Sequence, residues 1–302
     1  MYDQVAQNKR RSAALIATFV LLTTAVVAAI LWLFDFGPVG IVIAAVIAIA
    51  SSWLAYWKSD EVALKVSRAK PADPTEYARL HNLVDGLCIA SGLPKPRVYV
   101  IDDPAPNAFA TGRNPKHAAI AVTTGLLALM NRVELEGVLA HELSHIKNDD
   151  ILVSTLAVTM VGLIAIATDL SIRMMWWNGG RTHRAGDRDG GAAPFLAIFG
   201  FALLILAPLL SRLMHLAVSR RRESLADASA VEMTRYPPGL ISALEKLRDD
   251  TTVVHASSRA TAHLWIEEPL AKHEGEGKLK RWNNLFDTHP PIEQRIAALQ
   301  EL

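Results

Sequence analysis

Residues 131–147 read NRVELEGVLAHELSHIK. Asn131 followed three residues later by Glu134 makes a capping box, the signature of a helix start. Val133, Leu135, Val138, Leu139 and Leu143 supply an apolar body, so the spacing predicts a helix over Arg132–Lys147. Positions i and i+4 of a helix share a face. His141 and His145 therefore direct two imidazoles at one point, and Glu142 stands about a quarter-turn round. That pattern suits a metal ion. A catalytic zinc usually takes three protein ligands and keeps a fourth position for water, so a third ligand must come from elsewhere in the chain.

Two candidates offer it. Glu223 lies in SRRRESLAD, residues 219–227, within a helix predicted over Ala217–Thr234. Asp227, four residues on, shares its face, where a carboxylate suits the second ring N–H of a ligating histidine. Asp149, four residues beyond His145, is the rival. A third ligand from the same helix closes a tetrahedral site poorly, which favours Glu223. Without the histidine pair, both acids of 219–227 would read as a solvated face beside three arginines.

The rest of the chain sets the surroundings. Of its 302 residues 51% are hydrophobic, and 31 Lys and Arg balance 30 Asp and Glu to a net charge of +1. That balance excludes a nucleic-acid partner held by bulk charge, and the apolar content excludes a disordered chain. Cys88 is the single cysteine, so no intrachain disulfide or cysteine zinc finger forms; on an apolar helix face it reads as a small core residue.

Residues 13–34 and 38–57 carry no charge, and each approaches the ~20 residues that cross a bilayer as a helix. Asp35-Phe36-Gly37 between them leaves room only for a tight turn. Trp32, Trp53, Tyr56 and Trp57 sit near the run ends, where aromatic belts belong. The length of the first run, and a second directly after it, argue against a cleaved signal peptide. Lys9, Arg10 and Arg11 before the hairpin, and Lys58, Lys65, Arg68 and Lys70 after it, place both flanks on the cytoplasmic side. Residues 151–168 and 194–211 form a second apolar pair near the lower limit for spans. The arginines at 173, 181, 184 and 188 between them fit poorly with export. Since the candidate ligands flank this stretch and must meet, it crosses the bilayer twice or not at all. The polar segments predict helices over Thr75–Gly92, Leu240–Arg248 and Pro291–Leu302, strands over Arg97–Ile101 and Ala118–Thr123, and a turn over Asp102–Asn107.

The motifs HELSHIKN (141–148), SRRRESLADASA (219–230) and THPPIEQRI (288–296), in this order among apolar runs so placed, resemble the HtpX-type membrane zinc metalloproteases. These belong to the gluzincin group, with the CAAX prenyl proteases and related mitochondrial proteases. The resemblance covers nearly the whole chain. It implies a mainly helical α+β, multi-span membrane protein with a zincin-like catalytic domain: an N-terminal transmembrane hairpin at 1–58, catalytic segments at 59–150 and 212–302, and a second apolar hairpin at 151–211. It implies one zinc ion per subunit on His141, His145 and Glu223, Glu142 as general base, and Asp227 in support. From its residues alone His289, before Pro290 and Pro291, reads as an ordinary helix-start histidine; the resemblance makes it an oxyanion-stabilising group, with Arg295 nearby. It also makes Asn107, Ala108, Phe109 and Ala110, continuing to Gly112, an exposed strand beside the cleft whose edge pairs with extended substrate. Ser224 departs from the family, where that position is often aromatic. The implied activity is endopeptidase action at the cytoplasmic face of the cell (inner) membrane, on misfolded or damaged membrane proteins, with the lipid bilayer and protein substrates as partners and no nucleic acid. The alternative is a non-enzymatic membrane protein whose metal site is structural or transports metal. Transport favours ionisable groups within spans, and the first two runs have none.

Overall fold

The computed structural model describes most of residues 10–28, and residues 37–156, 220–252, 254, 264–266 and 290–302. Within it the second apolar run is a rod that outlasts its apolar residues. A short apolar helix, α1 (Ser12–Ala25), precedes it; among the described residues α2 (Gly37–Val66) is the one helix long and apolar enough to cross a membrane. Gly40, Ala44, Ala48, Ser52, Ala55 and Ser59 form the buried stripe of α2, a spacing of small residues that lets helices approach closely. Val39, Val42, Val46, Ile49, Trp53 and Leu54 are exposed, an apolar surface that suits lipid. Past Trp57 the helix continues unbroken into the polar part of the chain. Asp60 is buried there and pairs with Arg97, and Ala63 and Leu64 pack with Phe109, Ala119, Ala121 and Trp265 on one face of a sheet.

That sheet has four strands: β1 (Lys70–Pro71), β2 (Arg97–Ile101), β3 (Ala108–Gly112) and β4 (Ala118–Thr123), in the order β1-β2-β4-β3. β2 and β4 run parallel, with Arg97 opposite Ala119, and the two outer strands pair antiparallel. Alternation along each strand divides the residues between two faces. Val98, Val100, Ala108, Ala110, Ile120 and Val122 face the main core, while Phe109, Ala119 and Ala121 face α2. Arg113, just past β3, lies 4.7 Å over the Trp57 ring. The β3–β4 turn thus sits level with the aromatic end of the apolar stretch.

The longer helices that follow in the described residues are α3 (Ala78–Ser91), α4 (Thr124–Leu129), α5 (Arg132–Lys147), α6 (Arg220–Thr234), α7 (Pro237–Asp249) and α8 (Ile292–Gln300). α3 begins later than Thr75 because Asp73 accepts hydrogen bonds from the N–H groups of Thr75 and Glu76 and turns the chain there. Gly92 closes it at φ 72° with its N–H on the Cys88 carbonyl, the usual left-handed helix stop. The 151–168 run is helical through 156; its remainder and the 194–211 run lie outside the described residues.

α5 is the axis of the core. Everything from Gly137 to Ser144 is buried, and the helix packs on α3, α6, α7 and β3. Its capping box forms as the spacing predicts: the Asn131 side chain accepts from the N–H groups of Val133 and Glu134, and Glu134 accepts from the Asn131 N–H. Glu134 also accepts from Ser242 and Lys246 of α7, so the cap doubles as a clamp between helices. Reciprocal glycines permit the α5–α7 crossing. A Cβ on Gly137 would meet the Leu240 nitrogen at 2.9 Å, and one on Gly239 would meet the Val133 carbonyl oxygen at 2.9 Å.

Gly137→Ala should therefore destabilise the chain by about 1–3 kcal/mol through overpacking. Gly86→Ala on α3, where nothing lies within 4 Å of the added atom, should hold or raise stability. Thermal unfolding in detergent compares the two, and equal midpoints would contradict the close crossing.

Candidate metal centre

Three electron-pair donors converge where α5 meets α6. His141 Nε2 and His145 Nε2 are 3.2 Å apart. Glu223 places Oε2 3.6 Å from His141 Nε2 and Oε1 3.6 Å from His145 Nε2. The two rings stand edge to face, 4.8 Å between centroids, as an i, i+4 pair on one helix must to share a target. Glu223 is 4% exposed.

The other ring nitrogens fix what this convergence means. His141 Nδ1 lies 2.8 Å from Asp227 Oδ1, and His145 Nδ1 lies 3.3 Å from Asp150 Oδ2. A ring N–H given to each carboxylate would leave both Nε2 lone pairs for an ion. Two lone pairs and a carboxylate at 3.2–3.6 Å repel one another unless a positive charge stands between them. Zinc–nitrogen and zinc–oxygen bonds of about 2.0–2.2 Å in tetrahedral array set ligand atoms about 3.3–3.6 Å apart. The triangle matches that separation. Among the described residues, His141, His145 and Glu223 are the one cluster of such side chains that can hold a metal ion.

The electrostatics agree. Burial and the Arg295 charge push the His141 pKa down, but the hydrogen bond and charge of Asp227, with Glu223, override them and raise it to about 9. Burial likewise opposes charge on His145, and Glu223 and Asp150 raise its pKa. The site is built to hold positive charge. Burial works against ionisation of Asp227, yet Arg295 holds it well below the usual carboxylate range. Arg295 does so with two hydrogen bonds, Nε to Oδ2 at 2.9 Å and Nη2 to Oδ1 at 2.7 Å, and its Nη1 donates to the Ile266 carbonyl at 3.3 Å. Glu142 is buried on α5 beside His141, and its charge reaches Arg295.

The structure thus brings His141, His145, Glu142, Glu223, Asp227 and Arg295 to one place. Asp149 is absent from the ligand cluster. α5 ends at Lys147, and Asp149 takes φ 55°. That turn swings Asp150 rather than Asp149 back to His145. Asp150 and Arg222, which pair at 3.6 Å, carry no signal of this role in the sequence. His289 lies outside the described residues. Cys88 is buried, and burial pushes its thiol up to about 11, in keeping with a packing role.

The expectation of an exposed strand at Asn107–Gly112 needs correction. β3 is an edge strand, but Asn107, Ala108, Phe109, Ala110 and Thr111 are all buried. The sheet is covered on both faces, and the Thr123 N–H to Asn107 carbonyl bond fixes the register so that Ala108, Ala110 and Gly112 turn their backbone groups outward. Ile266 N–H donates to the Ala108 carbonyl at 3.0 Å, Ala108 N–H donates to Asn107 Oδ1 at 3.0 Å, and Gly112 N–H donates to Thr155 Oγ1 at 3.1 Å. Trp265 meets Phe109 edge-on at 4.9 Å on the other face. Residues 264–266 therefore wrap the strand edge at Ala108.

A histidine pair on one helix, a carboxylate from another and an adjacent buried glutamate, set beside a small sheet, define a metal-dependent peptidase. Residues 74–302 match peptidase family M48, and the chain belongs to that family. It is 45% identical over 302 residues to a protease HtpX homolog of Thermoanaerobacter pseudethanolicus, covering 100% of this chain and 98% of that one. A protease HtpX homolog of Lactobacillus helveticus is 42% identical over 305 residues, with both chains fully covered. The crystal structure of S. mikatae Ste24p shares the fold with a TM-score of 0.50 at 17% identity, over 99% of this chain and 67% of that one. The chain is a metalloprotease.

Glu223→Ala should empty the metal site, because two histidines alone hold an ion poorly. Asp149→Ala should keep it. Elemental analysis of the purified variants reads both, and metal lost from Asp149→Ala but kept by Glu223→Ala would reverse the assignment.

Proposed function

We propose that this chain is a membrane-anchored zinc endopeptidase, with one zinc ion per chain on His141, His145 and Glu223 and a site that faces the cytoplasm. The observation that carries the reading is the donor triangle, 3.2–3.6 Å on a side, with a buried glutamate next to it. Two imidazoles and a carboxylate with an open fourth position are a donor set typical of catalytic zinc. When bound, zinc polarises the scissile carbonyl and makes a water acidic enough to attack near neutral pH.

The protein's own groups supply the proton chemistry and the alignment. Glu142 takes the proton of the attacking water and returns it to the leaving amine. Asp227, fixed by Nε and Nη2 of Arg295, holds the His141 ring in the tautomer that presents Nε2. His289 stabilises the oxyanion of the tetrahedral species. Substrate adds as an extended strand along the outer edge of β3, where Ala110 presents an N–H and a carbonyl between the bonded positions at Ala108 and Gly112, and Asn107 and Phe109 hold the strand in place.

The apolar length of α2 and its aromatic end support an inner-membrane anchor, and the basic residues flanking the first hairpin support a cytoplasmic site. A site carried on such a rod suits substrates that are themselves membrane proteins. The likeness to HtpX proteases supports misfolded or damaged ones.

Glu142→Gln should keep stoichiometric zinc while casein cleavage falls by about 10²-fold or more, because the base is not a ligand. Loss of the metal, or cleavage at the wild-type rate, would overturn that role. Topology has its own test. On a Cys88→Ala background a cysteine at Asp35 should react with an impermeant maleimide outside intact cells, and one at Leu302 should not. The reverse pattern would put the site outside.

A further inference from the structure

We propose that Asp150 is a positioning residue for His145, that Arg222 holds it in place, and that this pair mirrors Asp227 and Arg295 behind His141. The proposal rests on the metal site described above and adds residues that neither the motif spacing nor helical periodicity pointed to.

The parallel is link by link. Behind His141, Nδ1 meets a carboxylate oxygen at 2.8 Å, and Arg295 grips that carboxylate at 2.7 and 2.9 Å. Behind His145, Nδ1 meets Asp150 Oδ2 at 3.3 Å, and Arg222 Nη1 lies 3.6 Å from Oδ1. Asp150 is 3% exposed and Arg222 9%. A carboxylate buried to that degree needs a counter-charge, and Arg222 provides one. In return the carboxylate accepts the Nδ1–H of His145, fixes its tautomer and raises the basicity of Nε2 toward the ion. The His145 chain is longer at each link than the His141 chain, so it is the looser of the two.

Placement in the sequence adds a second function. Asp150 is the first residue after the turn that ends α5, directly before the 151–168 apolar run. Arg222 lies in the first turn of α6 beside Glu223. Their pairing clips the helix bearing both histidines to the helix bearing the carboxylate. The same side chains that orient one imidazole therefore fix where the third donor stands relative to it.

The test uses the full chain in detergent. Zinc affinity is read by chelator competition, and the site geometry by the visible spectrum of the cobalt-substituted protein. Asp150→Asn, which keeps the shape, should weaken zinc binding by about tenfold, and Asp150→Ala by up to about 100-fold, both with a shifted cobalt spectrum. Arg222→Met should weaken binding alone but add little in the Asp150→Asn background, because it acts through Asp150. A merely structural pair would lower thermal stability and leave the cobalt spectrum and zinc affinity unchanged, and that result overturns the proposal. If the Asp150 variants bind zinc as the wild type does while Glu223→Ala binds none, the positioning role fails and the metal site stands. Wild-type protein that binds no zinc overturns both.

Discussion

Two imidazole nitrogens and a carboxylate are held 3.2–3.6 Å apart in a buried site, a spacing that fits three ligands of one cation. Much of the described architecture serves that convergence. α5 runs through the middle of the core, so its histidines arrive from a helix that cannot shift without disturbing the sheet and three neighbouring helices. α6 crosses it to deliver Glu223. The Asn131–Glu134 cap, clamped by Lys246 and Ser242, and the glycine crossing at Gly137 and Gly239 lock α7 against the other side of α5. Precision at the centre is thus bought with burial around it: a helix whose polar residues at 141, 142 and 144 are all inside must have each of them partnered.

The centre is tied outward by a continuous rod. α2 leaves its apolar stretch at Trp57, pairs Asp60 with Arg97 and packs Ala63 and Leu64 beneath the sheet. The face of the sheet opposite α2 carries Ala108 and Ala110, on the side of α5. α2 and α5 thus pack on opposite faces of a sheet only four strands wide. Wrapping of the β3 edge by residues 264–266 narrows that strand's free hydrogen-bonding groups. It makes Arg295 a junction as well, since this side chain holds Asp227 and the Ile266 carbonyl together.

Local signals explain what could be read from the sequence and what could not. The α5 boundaries followed from a cap and a periodicity within seventeen residues, and strands β2 and β4 followed from short apolar runs bounded by turns. The grouping of Glu223 with the two histidines was legible because a third donor from the same helix closes a tetrahedral site poorly and because the motif around Glu223 carries the family resemblance. Asp150 was not, because it lies past the end of α5, and a left-handed residue, Asp149 at φ 55°, sets its direction in a way helical periodicity does not record. The burial of β3 was hidden for a different reason. Small alternating residues announce an edge strand, but the segment that covers it lies more than 150 positions along the chain, and no local pattern records that contact. α2 ran past its predicted end because Lys58 and Glu61 look like a domain boundary in sequence, whereas in the structure they form an exposed pair on a helix that simply continues.

X-ray absorption at the zinc edge, together with elemental stoichiometry of the purified chain, tests the central claim most directly. The account predicts one zinc per chain, a first coordination sphere of nitrogen and oxygen at about 2.0–2.2 Å, and outer scattering from two imidazoles. A chain without zinc, a sulfur scatterer at about 2.3 Å, or the signature of a single imidazole would contradict it.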